Sequence, residues 1–393
     1  MISHYDFDHS APDRRGTASY KWDSAPGEDV IPLWVADMDF RTAPPVIEAL
    51  RRRVDHGVFG YVKVPDEYYE ALTRWFASRH GWNFTREDVI YTSGVVPAIS
   101  AIIKALCNPG DGVAVQTPVY NCFFSSIRNN GCRLVDNALL REDLSDECFT
   151  YNIDFDNLEK LVSAPDCKVL LLCNPHNPAG RCWRADELRR VAEICTRCDT
   201  TVVSDEIHCE LTMPGYSFVP FATVAGDCRY VVCNSPSKAF NTAGLQIANI
   251  ICPSAPMRDA IDRAININEV CDVNPFGVAG LIASYNEGEP WLNELREYLH
   301  GNYLAFRSFM DSELPLLPYS RLEATYLAWV DVRPTGKTGE EIEHELIGKH
   351  GVWVNAGGMY GCDDYIRINL ACPRERLLEG LRRMAGGLSQ WLK

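Results

Sequence analysis

A lysine that directly follows a short apolar strand is the residue in this sequence best suited to covalent chemistry. Lys238 comes after the strand predicted at 229–233, with Ser237 immediately before it and Ser235 two positions further upstream. A strand end holds an amine in a fixed position, and the two hydroxyl groups can bind an anion beside it. A fixed amine of this kind is what a lysine needs to form a Schiff base with an aldehyde. The pattern is weak on its own, and other residues must support it.

A carboxylate at the end of a second predicted strand supports this interpretation. Asp205 ends the strand at 200–205. A buried carboxylate needs a positive partner, because burying an unpaired charge costs free energy. The protonated ring nitrogen of pyridoxal phosphate (PLP) would be such a partner, and the pairing would keep the ring able to accept electrons. A salt bridge to a nearby Arg or Lys is the alternative. The neighbouring Glu206 is expected to point to the opposite side of the strand.

Three further side chains match other groups of PLP or of an amino-acid substrate. Tyr120 follows a strand end, where its ring could stack on the cofactor, although a core or surface tyrosine is commoner. Asn177 lies in a rigid turn with two Asn-Pro steps, and its amide could bond the ring oxygen or cap the turn. Arg367 lies among apolar strand residues, and its planar fork suits a substrate α-carboxylate or an internal carboxylate.

The start of a predicted helix offers a phosphate site. Ser93 and Gly94 follow the strand predicted at 89–92, and a helix begins near residue 95 with Pro97 close to its first turn. Free backbone amides and the helix dipole can hold a phosphate, with a contribution of roughly 0.3–1 kcal/mol when the site is exposed. A serine that only caps a core helix is the alternative.

The composition indicates a globular protein and argues against several classes of function. The chain has 393 residues, of which 46% are hydrophobic and 23% charged, and its net charge is −15. An acidic chain without a Lys/Arg cluster is a poor candidate for nucleic-acid binding. No apolar run reaches the ~18 residues of a membrane span. The polar N-terminus lacks the pattern of a secretory signal, so we expect a cytoplasmic protein with no membrane partner.

Sixteen cysteines raise the question of metals and disulfides. Most stand singly inside apolar stretches, where they behave as small buried hydrophobic residues. The pair Cys195 and Cys198 lies within a helical pattern, and no second pair follows at zinc-finger spacing. We therefore predict neither a metal site nor a disulfide network.

Short apolar runs rich in β-branched residues alternate with amphipathic segments along most of the chain. Strands are predicted at 89–92, 112–117, 131–136, 168–173, 200–205, 229–233 and 247–252. This alternation is typical of an α/β fold with a mainly parallel sheet flanked by helices. Ligands of such sheets bind at the carboxyl ends of the strands, where the large-domain candidates lie.

We expect two domains. The large α/β domain is predicted at 46–287. The smaller α+β domain combines an N-terminal arm, 1–45, with the last third of the chain, 288–393, where long helices precede an alternating strand at 326–332. Further elements are predicted there in the order 339–349 (helix), 352–354 and 365–370 (strands) and 374–392 (helix).

Taken together, these residues resemble the fold-type I PLP-dependent enzymes, the superfamily of aspartate aminotransferase. Within it the sequence is most similar to the MalY/PatB-type cystathionine β-lyases, or C-S lyases. The similarity extends along nearly the whole chain, and the segments that carry it are 5–8, 13–17, 21–23, 34–40, 57–61, 204–208 and 236–246.

The resemblance implies roles for individual residues. Lys238 would bond the cofactor and act as base, Asp205 would face the pyridine nitrogen, and Tyr120 would lie against the ring. Arg367 would hold the substrate α-carboxylate, and Tyr61 would reach the phosphate of the neighbouring subunit in a homodimer. The remaining residues implied in cofactor binding are Ser93, Gly94, Val95, Asn177, His208, Ser235 and Ser237, and the resemblance also places Asn177 and Tyr61 at the substrate.

One departure separates this chain from the aminotransferases, which usually place an arginine eight residues after the lysine. Here that position is Gln246, as in the lyase branch, so the phosphate would depend on helix amides, hydroxyl groups and the partner tyrosine. The resemblance implies β-elimination from cystathionine or cysteine S-conjugates, giving a thiol, pyruvate and ammonia. The alternatives are an aminotransferase and a regulatory protein that keeps the PLP fold with vestigial lyase activity.

Overall fold

The computed structural model describes residues 5–269 and 273–392. Its described strands, β1 to β15 in chain order, are Ile31–Pro32, Val89–Thr92, Gly112–Val115, Arg133–Asp136, Leu140–Asp143, Cys148–Asn152, Cys167–Cys173, Thr201–Asp205, Tyr230–Asn234, Ala248–Ile251, Tyr319–Ser320, Leu327–Asp331, Val352–Trp353, Asn355–Ala356 and Tyr365–Asn369. Its described α-helices, α1 to α11, are Pro44–His56, Asp66–His80, Val95–Leu106, Asn121–Asn129, Phe155–Val162, Ala185–Arg197, Ala255–Asn266, Pro275–Glu287, Glu289–Glu313, Gly339–Glu345 and Arg374–Leu388.

A sheet of seven strands forms the centre of the larger part of the molecule. Its order is β2-β10-β9-β8-β7-β3-β4, and β10 runs antiparallel to both of its neighbours. The other pairs are parallel. The inner strands are apolar and buried on both faces because helices cover the sheet. The predicted α/β class and the mainly parallel seven-stranded sheet are confirmed.

The parallel strands bring their carboxyl ends to one edge of this sheet. Strand β8 ends at Asp205, β9 ends four residues before Lys238, and β7 ends just before the Asn174–Asn177 turn. Strand β2 runs in the same direction as β9, because β10 is antiparallel to both. Helix α3 therefore begins at that edge as well, and its buried residues at 95, 98, 99, 102 and 103 form one apolar stripe against the sheet.

A second sheet has six strands in the order β14-β15-β12-β11-β6-β5. Two of them, β5 and β6, lie between 137 and 154, where the sequence pattern predicts no element. Strand β6 pairs in parallel with β11, so Cys148 lies opposite Tyr319. The middle of the chain thus adds a hairpin to the sheet of the C-terminal third, and strand β15 of that sheet carries Arg367.

The N-terminal arm connects the two sheets. Within the described part of this arm, Ile31–Pro32 pairs as a strand, in parallel with β13. The residues that follow, which we call the 34–39 segment, run past the carboxyl edge of the central sheet. Asp39 accepts from Lys21 at 3.1 Å, and both side chains are fully buried. In the described part of the chain, no helix combines the length and the apolar character that crossing a membrane requires.

Candidate active site

A cavity of about 210 Å³ opens at the carboxyl edge of the central sheet. Ten of the twelve side chains or backbone positions predicted at the site line it. They are Ser93, Gly94, Val95, Tyr120, Asn177, Asp205, His208, Ser235, Ser237 and Lys238. Arg367 and Tyr61 are not among the lining residues.

Lys238 lies in the turn that follows β9, and its amine is held by a backbone carbonyl. Its Nζ donates to the Ala36 carbonyl oxygen at 2.6 Å. Burial and, after it, the positive charge of Arg367 together lower the pKa of Lys238 to about 8. A neutral amine, which can accept a proton, is therefore accessible near neutral pH.

Asp205 presents a carboxylate with few partners to the same cavity. The backbone amide of Ile207 donates to its Oδ1 at 3.1 Å. Burial raises the pKa of Asp205 to about 7, and the charge of Lys238 opposes this rise. A buried carboxylate with a raised pKa would be stabilised by a cationic group that binds next to it. Glu206 points away, as predicted, and accepts from Ser204 and from the Phe221 amide at 2.9 Å each.

Arg367 and Asn177 form one polar pair beside the lysine. Arg367 Nη1 donates to Asn177 Oδ1 at 3.2 Å, and Nη2 donates to the Trp34 carbonyl oxygen at 2.9 Å. The guanidinium stands over the Tyr360 ring, 4.8 Å from its centroid. Within residues 5–269 and 273–392, the hydrogen bonds of Arg367 go to Asn177 and the Trp34 carbonyl and to no carboxylate, and its Nε has no hydrogen-bond partner. The internal salt bridge that the sequence left open is therefore not formed there.

The two serines before Lys238 differ in what they can offer an anion. Ser235 donates its proton to the Ile247 carbonyl oxygen at 2.6 Å and accepts from the Ser237 amide at 3.1 Å. Its hydroxyl therefore shapes the turn and has no proton to give. The Ser237 side chain and the start of α3 at Gly94 and Val95 also line the cavity. The first amides of a helix have no carbonyl partner inside the helix, so they can bind an anion.

Tyr120 and His208 are neutral groups in the cavity wall. Burial strongly raises the pKa of the Tyr120 phenol, with the nearby Cys122 thiol adding to the effect. Burial also places the pKa of His208 well below its ordinary value, and the charge of Lys238 acts in the same direction. Among the described residues, His208 Nδ1 has no hydrogen-bond partner. Both side chains can contact a bound ring without adding charge.

Tyr61 lies outside the cavity. Its side chain is 95% exposed, and its neighbours Val58 and Phe59 are also exposed. Phe59 stacks against Phe276 with 5.8 Å between the ring centroids. A role for Tyr61 at an active site therefore requires a second chain.

Sequence reasoning missed the backbone contribution of the 34–39 segment. Ala36 lines the cavity and accepts from Lys238, while Trp34 accepts from Arg367 through its carbonyl oxygen. Tyr326 Oη also donates to the Ala36 carbonyl oxygen, at 3.0 Å. Backbone carbonyls carry no residue-type signal, so only their positions in the fold show these contacts.

Among the described residues, one group of potential metal ligands is formed by side chains that do not line the cavity. The ligand atoms of His80, Cys209 and Glu210 lie within 4.8 Å of one another. Glu210 already accepts from Trp75 Nε1 and His80 Nε2 at 2.7 Å and from Arg79 Nε at 2.8 Å. Its charge is thus balanced by protein side chains, which favours a structural ion pair over a metal site.

The deciding comparison concerns the whole chain. A family model described as aminotransferase class I and II matches residues 28–384. The chain belongs to the class I and II aminotransferase family. This membership confirms the superfamily resemblance drawn from the sequence, and the central sheet agrees with it.

Curated relatives of this aminotransferase-family chain include two that match it over nearly their full length. It is 38% identical over 386 residues to the cystathionine beta-lyase PatB of Bacillus subtilis, covering 96% of this chain and 98% of the relative. It is 34% identical over 378 residues to the protein MalY of Escherichia coli, covering 94% and 95%.

Two experimental structures superpose on the family member along almost its entire length. Cystalysin from Treponema denticola, which contains a pyridoxal 5'-phosphate cofactor, is 33% identical with a TM-score of 0.93 and covers 98% of this chain and 99% of its own. The PLP-bound C-S lyase from Staphylococcus hominis is also 33% identical, with a TM-score of 0.91 and the same coverage.

Proposed function

We propose that this chain is a PLP-dependent carbon–sulfur lyase that acts on cystathionine or cysteine S-conjugates. The overall reaction consumes the S-substituted cysteine and one water and gives a thiol, pyruvate and ammonia. The single observation that carries the proposal is that Lys238 and Asp205 line the same cavity. The lyase names of its relatives agree with this reaction type.

The cavity has groups that fit each part of PLP. Asp205 lacks a cation of its own, and a protonated pyridine nitrogen would supply one and lower its raised pKa. The free amides at Gly94 and Val95 and the hydroxyl of Ser237 suit a phosphate. The unpartnered Nδ1 of His208 leaves a polar atom for a further contact. When bound, PLP supplies an electron sink for a carbanion at the substrate α-carbon.

Lys238 supplies both the covalent attachment and the base. Its amine is neutral above a pKa of about 8, where it can take the α-proton of the substrate. General-base action of a positioned group is worth roughly 10²–10⁴-fold in rate. The protonated amine can then give a proton to the sulfur, which leaves as a thiol.

Arg367 and Asn177 orient the substrate. A planar guanidinium binds a carboxylate in two-point fashion, and Arg367 is buried and forms no ion pair among the described residues, which suits it to the substrate α-carboxylate. Asn177 Oδ1 holds one guanidinium nitrogen in place. Its amide nitrogen is left to donate to an oxygen of the cofactor or the substrate.

The active unit of this proposal is a homodimer, with Tyr61 reaching the phosphate site of the neighbouring subunit. The support is the exposed apolar stretch at Val58, Phe59 and Tyr61, which on a lone chain would face water. A cytoplasmic location stays a prediction that cell fractionation would test.

The experiment is incubation of the PLP-loaded protein with cystathionine, cysteine and alanine, with and without a keto acid. Steady release of thiol and pyruvate from the sulfur substrates without a keto acid is the expected result. Turnover that requires a keto acid would establish an aminotransferase, and PLP binding with little turnover would favour a regulatory protein. Lys238→Ala should abolish release, whereas the exposed Lys160→Ala serves as the matched lysine control.

A further inference from the structure

The carbonyl oxygen of Ala36 accepts hydrogen bonds from two donors, Lys238 and Tyr326. Only Tyr326 can keep its bond when the lysine is joined to the cofactor. Lys238 Nζ donates to it at 2.6 Å, and Tyr326 Oη donates at 3.0 Å. A carbonyl oxygen has two lone pairs, so both acceptor positions are used. Lys238 has to leave this oxygen when its amine is bonded to the cofactor. The Tyr326 hydroxyl can remain, because it has no other hydrogen-bond partner among the described residues.

The other carbonyls of the 34–39 segment have different donors. Asn355 and Arg367 hold the Trp34 carbonyl oxygen at 2.9 Å each. Asn369 donates to the carbonyl oxygens of Val35 and Asp37. The Met38 carbonyl oxygen accepts from Asn241 at 2.9 Å. In this segment, the Ala36 carbonyl is therefore the one whose hydrogen bonds come from Lys238 and Tyr326.

We propose that Tyr326 is a positioning residue that keeps the Ala36 carbonyl satisfied and thereby lets Lys238 leave it for the cofactor. This inference rests on the proposed function. Tyr326 is 1% exposed and precedes β12, and its ring packs edge-on to His208 with 6.2 Å between centroids. A buried carbonyl with no donor is costly, so removal of the hydroxyl makes the carbonyl compete with the cofactor for the amine.

The test is a double-mutant cycle on PLP affinity, measured by titration in amine-free buffer with absorbance and fluorescence as readouts. In the wild-type background, Tyr326→Phe should raise the dissociation constant of PLP about 5- to 30-fold, the factor expected for one unsatisfied buried group. In the Lys238→Ala background the carbonyl has lost its lysine whether or not PLP is bound. There, Tyr326→Phe should leave the remaining non-covalent affinity unchanged within about twofold.

Tyr319→Phe is the matched control. Tyr319 is equally buried and donates to Asp311 at 2.8 Å, far along the second sheet. It should not change PLP affinity in either background. If Tyr326→Phe weakens PLP binding equally in both backgrounds, its role is merely structural and the inference is overturned. The inference is also overturned if Tyr326→Phe weakens PLP binding in neither background. A wild-type chain that binds no PLP would overturn the proposed function itself, which is a separate result.

Discussion

Arg367 and Asn177 are 190 positions apart in the chain, and one hydrogen bond of 3.2 Å joins them. Arg367 lies on a strand of the second sheet, while Asn177 lies in the turn after β7 of the central sheet. The bond therefore forms only when the two sheets are correctly placed. It puts the guanidinium next to the lysine, where its charge lowers the pKa of Lys238.

Arg367→Lys should weaken the binding of the substrate far more than the binding of the cofactor. A lysine keeps the charge but loses the planar fork, so kcat/KM for cystathionine should fall by about 10- to 100-fold, as expected for losing a hydrogen bond to a charged group. Steady-state kinetics and a PLP titration measure the two effects. Arg190→Lys, on the exposed face of α6, is the control that should change neither. Loss of PLP affinity alone would contradict the assigned role.

The pH dependence of turnover should follow the ionisation of Lys238. A base acts in its neutral form, so kcat should rise with pH and level off above the Lys238 pKa, which lies at about 8 in the cofactor-free protein. Because the charge of Arg367 is one cause of the lowered pKa, Arg367→Gln should move the rise to higher pH. An unchanged or downward-moved profile in that variant would contradict the electrostatic coupling.

Asp205→Asn should stabilise the cofactor-free protein in a pH-dependent way. The folded-state pKa of Asp205 is raised to about 7, so its contribution to stability is largest when it is protonated and is lost as pH rises through 7. The asparagine variant does not ionise. Its advantage in free energy of unfolding should grow as the pH rises from about 4, the unfolded-state pKa, to about 7 and stay constant above that. The total is roughly 1–4 kcal/mol, at about 1.4 kcal/mol per pKa unit.

Urea unfolding of the cofactor-free forms at several pH values measures this difference. The same variant should lose at least about 100-fold in lyase rate when PLP is present, since one preorganised charge is removed. Asp205→Glu, which retains the charge, should recover part of that rate. A constant stability difference across the pH range would mean that Asp205 is not desolvated as the structure shows.

Tyr61→Ala tests the dimeric site. The side chain is 95% exposed, so its loss should leave the stability of the chain unchanged while activity falls. Inactive Tyr61→Ala and Lys238→Ala chains, unfolded and refolded together, should form mixed dimers with one intact site, restoring about a quarter of wild-type activity at equal mixing. No recovery in the mixture would place Tyr61 outside the partner's site.

The clustering of the candidate residues in one cavity was predictable from the sequence where a residue's place depends on its own strand. Lys238 and Asp205 follow apolar strands of a parallel sheet, and such strands bring their ends to one edge. The hairpin of β5 and β6 was not predictable in the same way. Its strands are half polar, and β6 finds its partner some 170 residues later in β11.

The contribution of Ala36 could not be found from sequence either. Alanine has no side-chain group to suggest chemistry, and its carbonyl meets Lys238 only because distant side chains fix the 34–39 segment. Ser235 shows the converse case. Its type predicted an anion contact, but its proton is donated to the Ile247 carbonyl.

The most direct measurement of the central claim is the identity of the lysine that carries the cofactor. The PLP-loaded protein would be reduced with borohydride, which fixes the lysine–cofactor linkage, then digested and mapped by mass spectrometry. The expected result is a single modified peptide with the pyridoxyl group on Lys238. Modification at any other lysine, or none at all with PLP bound, would contradict the account.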